Sequence, residues 1–83
     1  MDPKRWSKPI TFETPNLGQY RTIVGTQEAV RALVNDWPLQ KGRQLKAARK
    51  TCAAVLDGKK PPSEARNAFI AAAVEADVFV REK

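Results

Sequence analysis

The sequence predicts an α+β fold: an N-terminal β-hairpin followed by three α-helices, the last two an antiparallel pair. Three observations carry this. Apolar and polar residues alternate over 8–13, and β-branched and aromatic residues crowd 19–24, as in two short strands. After Gly25 the apolar spacing lengthens to that of an amphipathic helix. Two more helical stretches follow, divided by Gly58 and the Pro61-Pro62 pair, residues that stop one helix and open the next.

Residues 1–7 hold Pro3 and, beyond Met1, one large apolar residue, Trp6, and are expected to form a loose lead-in; 8–83 is expected to be the single domain. From Lys8 to Glu13, Ile10 and Phe12 share one face and Thr11 and Glu13 the other, the pattern of a half-buried strand. The run Thr14-Pro15-Asn16-Leu17-Gly18 has turn chemistry, and Gln19–Val24 reads as the return strand. Thr26 is placed to cap the first helix, with Glu28 favoured by the dipole of its first turn. Val30, Leu33, Val34 and Trp37 supply its apolar stripe, and Pro38 ends it.

The second helix is expected from about Lys41 to Asp57. Leu45, Ala48, Cys52, Val55 and Leu56 fall within an arc of roughly 100° when each residue advances by ~100°. In the third, Ala65, Ala68, Phe69, Ala72, Ala73 and Ala76 share a face whose small residues admit a close neighbouring helix. The apolar run 78–80 reads as a packed tail in preference to a third strand.

These landmarks carry a resemblance. The hairpin with Arg21, the Glu28-Ala29 helix start, Trp37-Pro38, Gly42, Ala48, Cys52, Leu56-Asp57-Gly58, Ala65-Arg66, Ala68-Phe69 and Ala72-Ala73-Val74-Glu75-Ala76 resemble the bacterial domain of unknown function 982 family over about residues 8–78. The resemblance implies a small single-domain protein and brings no activity, cofactor, ligand or site residue with it.

Composition narrows the function classes. At 83 residues there is room for one core, and 42% hydrophobic content favours a folded domain. Fifteen Lys and Arg against nine Asp and Glu leave a net charge of +6, which suits an acidic protein, nucleic acid or a solvated surface. One Cys cannot form an internal disulfide, no apolar run nears the roughly 18 residues of a membrane span, and the first residues lack a signal-peptide core, so a cytoplasmic protein is expected. Without His, with one Cys and with four scattered Gly, there is no inventory for a metal site, a nucleophile–base pair or a phosphate loop. Neither enzyme activity nor a cofactor is expected.

The candidate binding surface is the flank of the second helix. Lys41, Arg43, Lys46, Arg49 and Lys50 include no acid among them or between them. Cations in a first turn oppose the macrodipole, and like charges at i,i+3 and i,i+4 repel, each by a few tenths of a kcal/mol. That local penalty is the best functional hint in the chain. The flank fits a solvated face, an acidic protein partner or phosphates; it lacks the stacking aromatics that nucleic-acid binding favours. The preferred function is a small non-enzymatic protein-binding or regulatory module, and the alternative is weak, largely non-specific nucleic-acid binding.

Other residues read as structural. Cys52 lies in the apolar arc, and Arg66, at the margin of the third helix's apolar face, is expected to reach an acid such as Asp36 or Glu28. Ile70 and Val74 fall off the main stripe of that helix; they are covered by the hairpin or form a dimer patch, so both monomer and homodimer remain open.

Overall fold

Ile10, Phe12 and Ile23 are fully buried on one side of a sheet, as their alternation requires. A computed structural model describes residues 5–14, 18–38 and 41–81. Six elements follow one another in it: β1 (Arg5–Glu13), β2 (Tyr20–Gly25), α1 (Thr26–Asn35), α2 (Arg43–Leu56), α3 (Pro62–Glu75) and β3 (Val80–Arg81). The architecture is α+β, with three helices after an N-terminal hairpin. The turn residues Pro15, Asn16 and Leu17 lie outside the described residues.

Two expectations about the sheet are corrected. β1 begins at Arg5, ahead of the expected Lys8, and Trp6 is a core residue where a loose lead-in was expected. Trp6 gains a polar partner as well as burial: its indole N–H donates to Thr26 Oγ1 at 3.1 Å. The β1–β2 register slips between Arg5 and Ile10, next to Pro9, which has no N–H for a ladder. The second correction concerns 78–80. Val80 and Arg81 pair antiparallel with β1, giving the order β2-β1-β3. Val80 sits opposite Phe12 and packs on the core, so a strand satisfies the backbone and the apolar side chain together.

Helix ends follow local chemistry. α1 has Gly25 as its N-cap, one residue ahead of the expected Thr26, whose hydroxyl accepts the Trp6 indole N–H. Glu28 reaches back instead, accepting the Val24 N–H at 3.3 Å. α1 ends at Asn35, before Trp37, and buries Ala29, Ala32 and Leu33; Val34, expected on the stripe, is exposed. At the end of α2 the Gly58 N–H reaches Val55 O and the Lys59 N–H reaches Ala54 O, the paired bonds of a Schellman stop with Gly58 at φ +79°. α3 ends in the same way, with the Asp77 N–H on Val74 O and the Val78 N–H on Ala73 O.

Trp6, Phe12, Trp37 and Phe69 form the centre of the core, with ring centroids 5.1–5.9 Å apart in tilted and edge-on arrangements. Leu45, Ala48, Cys52 and Val55 of α2 meet Ala65, Phe69, Ala72 and Ala73 of α3 in the same core. The buried N–H of Trp37 has no acceptor among the described residues.

Candidate functional site

The basic flank belongs to α2 and the residues leading into it. Lys41, Arg43, Lys46, Arg49 and Lys50 are all exposed, while Leu45, Ala48, Cys52 and Val55 fix the helix by burying its opposite side. A cleft of about 350 Å³ opens on this flank, lined by Lys41, Gly42, Leu45, Lys46 and Arg49. Three of its five lining residues are cations. The structure therefore gathers Lys41, Lys46 and Arg49 around one concavity and leaves Arg43 and Lys50 on the open surface beside it.

Two interactions change what the flank means. The N-cap of α2 is Gly42, which has no side chain to accept the first orphan N–H groups. Glu75, at the C-terminal end of α3, does so instead. Its carboxylate accepts the Gln44 N–H at 3.0 Å and the Leu45 N–H at 3.1 Å. The acid missing from the start of α2 thus arrives from another helix, and it offsets the dipole penalty of Lys41 and Arg43. The same contact brings the end of α3 to the start of α2. With the short connection at 57–61 joining their other ends, the two helices run antiparallel.

Arg49 is also spoken for. Its Nη2 donates to Leu33 O at 3.1 Å, placing a cation at the C-terminal end of α1, where the last turn has no basic residue of its own. The flank consequently separates into a structural cation, Arg49, and Lys41, Arg43, Lys46 and Lys50, which make no ion pair among the described residues.

Arg66 donates through Nε to Lys8 O at 3.1 Å, tying α3 to β1, where an acid such as Asp36 or Glu28 was expected. Asp36 is taken by Arg21 in an ion pair between the hairpin and the end of α1, and Glu28 by the Val24 amide. Ile70 is half-buried against the core whereas Val74 is 74% exposed, so the structure divides the pair. Burial pushes the Cys52 thiol up to about 11, far from thiolate chemistry at neutral pH. Among the described residues no group of three or more His, Cys, Asp or Glu is placed to hold a metal ion, and no helix is long and apolar enough to cross a membrane.

Two exposed aromatics escaped the sequence reading, Tyr20 and Phe79. Both stand on the side of the sheet opposite Ile10, Phe12 and Ile23, as the alternation along β2 and the pairing of β3 place them. Strand parity is the available signal for Tyr20; for Phe79, which precedes a two-residue strand, the sequence has no alternation to show.

The fold and this flank define a small α+β protein with a basic helix face. A family described as "Protein of unknown function (DUF982)" matches residues 8–80, and the chain belongs to that family. No curated protein and no solved structure matches it.

Proposed function

We propose that the chain is a non-enzymatic cytoplasmic binding or regulatory module whose α2 flank docks on an acidic surface of a protein partner. The observation that carries this is the division of the flank: Arg49 is bonded to α1, while Lys41, Arg43, Lys46 and Lys50 have no anionic partner among the described residues. Clustered like charges cost stability, and an acidic partner converts that cost into attraction and faster association. The cleft between Lys41, Lys46 and Arg49 offers a concave seat for a carboxylate-bearing segment. A protein partner is favoured over nucleic acid because the exposed aromatics of the described residues lie on β2 and beside β3, so this flank offers no base a stacking surface.

The test uses Lys46→Glu with Lys50→Glu in one chain, sparing Arg49 because it supports α1. The wild type should retain a partner from native cytoplasm, the variant should lose it, and the variant should unfold at the same temperature or slightly higher, because the reversals relieve like-charge repulsion along α2. Binding should weaken as salt rises. Equal retention by the variant would remove the flank from the binding surface. A mobility shift with nucleic acid whose log affinity falls linearly with log salt would replace the protein partner by phosphate binding.

A further inference from the structure

We propose that the outer face of the sheet joins two copies of this chain into a symmetric dimer; this concerns a different surface from the α2 flank and stands or falls separately from it. The helices cover the side holding Ile10, Phe12 and Ile23, so the residues of opposite parity face outward. Two rows cross this outer face. In one, Tyr20 of β2 stands opposite Glu13 of β1, and Phe79 lies on the other side of Glu13, where the Glu13 N–H donates to Phe79 O at 3.0 Å. In the next, Thr22 stands opposite Thr11, and Thr11 opposite Arg81.

The chemistry of these six residues selects the occupant. Tyr20 is 53% and Phe79 54% exposed, an apolar area that water leaves at a gain. The hydroxyls of Thr11 and Thr22 lie 2.9 Å apart and bond each other, so drying this part of the face leaves few polar groups unsatisfied. The guanidinium of Arg81 rests 5.7 Å from the centre of the Phe79 ring, which holds it over the sheet. Glu13 and Arg81 make no ion pair among the described residues.

Among the described residues these two rows carry one acid and one base at diagonal positions, an arrangement complementary to itself. A two-fold axis lying between two such sheets, and crossing the Glu13–Arg81 line at its midpoint, sets each Glu13 against the second copy's Arg81. The dimer then holds two such cross-pairs, and the aromatics close over them. A nucleic-acid strand on the same aromatics would meet the Glu13 carboxylate between them. An acidic partner of the kind that suits α2 would meet the same repulsion. A chain this short also gains from burying apolar surface that a single copy leaves wet.

Sedimentation equilibrium on the full chain tests the assignment. The wild type should show a concentration-dependent dimer. Glu13→Arg alone and Arg81→Glu alone should each weaken it by about tenfold or more, because each places like charges together twice. An equimolar mixture of those two variants should recover the dimer as a heterodimer, since every cross-pair is again opposite in sign. Pairing within one copy gives no such recovery. Tyr20→Ser with Phe79→Ser should weaken self-association while leaving thermal unfolding of the monomer nearly unchanged. A wild type that stays monomeric to about one millimolar overturns the proposal. So does a dimer indifferent to the reversals, or a mixture that fails to recover. A monomer that holds single-stranded oligonucleotide through Tyr20 and Phe79 overturns it in favour of nucleic acid.

Discussion

The carboxylate of Glu75 occupies the space that a side chain at Gly42 would need, and from there it caps the helix that Gly42 begins. A Ser or Asp at the N-cap would bond the second and third helical amides from within the chain's own turn. Here the glycine makes room, and α3 supplies the oxygen atoms. The start of α2, the end of α3 and the base of the cationic cleft are thereby one structural unit.

This relationship makes Gly42 and Glu75 energetically inseparable. Glu75→Ala removes two charge-assisted bonds and should cost about 1–2 kcal/mol in urea unfolding. Gly42→Ala should cost a similar amount or more, because its backbone sits at φ +156° and because the new methyl displaces the carboxylate. The carboxylate lies at the end of a flexible side chain, so it can move aside; what is lost is the cap, not the packing. The double variant should therefore fall short of the sum by at least about 0.5 kcal/mol. Strict additivity would show that the two residues act independently.

Cys52 yields a pH dependence whose sign can be worked out. Burial raises its folded-state pKa from the ordinary 9.0 to about 11, so the native state holds the thiol proton more tightly than the unfolded chain does. The stabilisation is complete below about pH 9 and disappears as pH rises through about 11. Cys52→Ala costs packing at every pH, but it has no thiol to ionise. The stability gap between wild type and this variant should accordingly narrow from pH 9 to pH 11. A constant gap would mean that the native thiol ionises as readily as a free one. At neutral pH, alkylation of native Cys52 should proceed only as fast as the chain opens.

How much of this was legible depended on the range of the interaction. Ile10, Phe12 and Ile23 showed themselves through alternation, and Leu45, Ala48, Cys52 and Val55 through the helical period, because burial imposes those periods within a few residues. Gly58 announced the end of α2 because a left-handed stop is a local demand. The acid-free flank was equally plain, but its meaning was not: the compensating acid, Glu75, lies thirty or so residues away from the amides it caps. Arg49 and Leu33, Trp6 and Thr26, and Arg66 and Lys8 are likewise partners well separated in sequence, by 16, 20 and 58 residues. No periodicity encodes such partners. β3 was missed for a related reason, since a two-residue strand has no alternation to display and exists only because β1 has an edge to fill.

Asp77 marks the place where the chain turns from α3 towards that edge. It is the one described non-glycine residue with positive φ, at 56°, and it occupies the position that Gly58 fills at the end of α2. Both stops use the same pair of bonds, and in both the following residue reaches back to the helix, Val78 N–H to Ala73 O at 2.8 Å. A side chain in the left-handed region costs about 1 kcal/mol that glycine avoids, and Asp tolerates it better than most. Asp77 is exposed, so replacing it removes little packing. Asp77→Gly should stabilise the chain by about 0.5–1 kcal/mol even after the added freedom of glycine in the unfolded state. Asp77→Val should destabilise it, because branching at Cβ worsens the clash. Chemical denaturation of the three proteins decides the matter. If glycine is neutral or harmful while valine is tolerated, the left-handed stop is not what turns α3 into β3, and the pairing of Val80 with Phe12 must set the direction of the chain by itself.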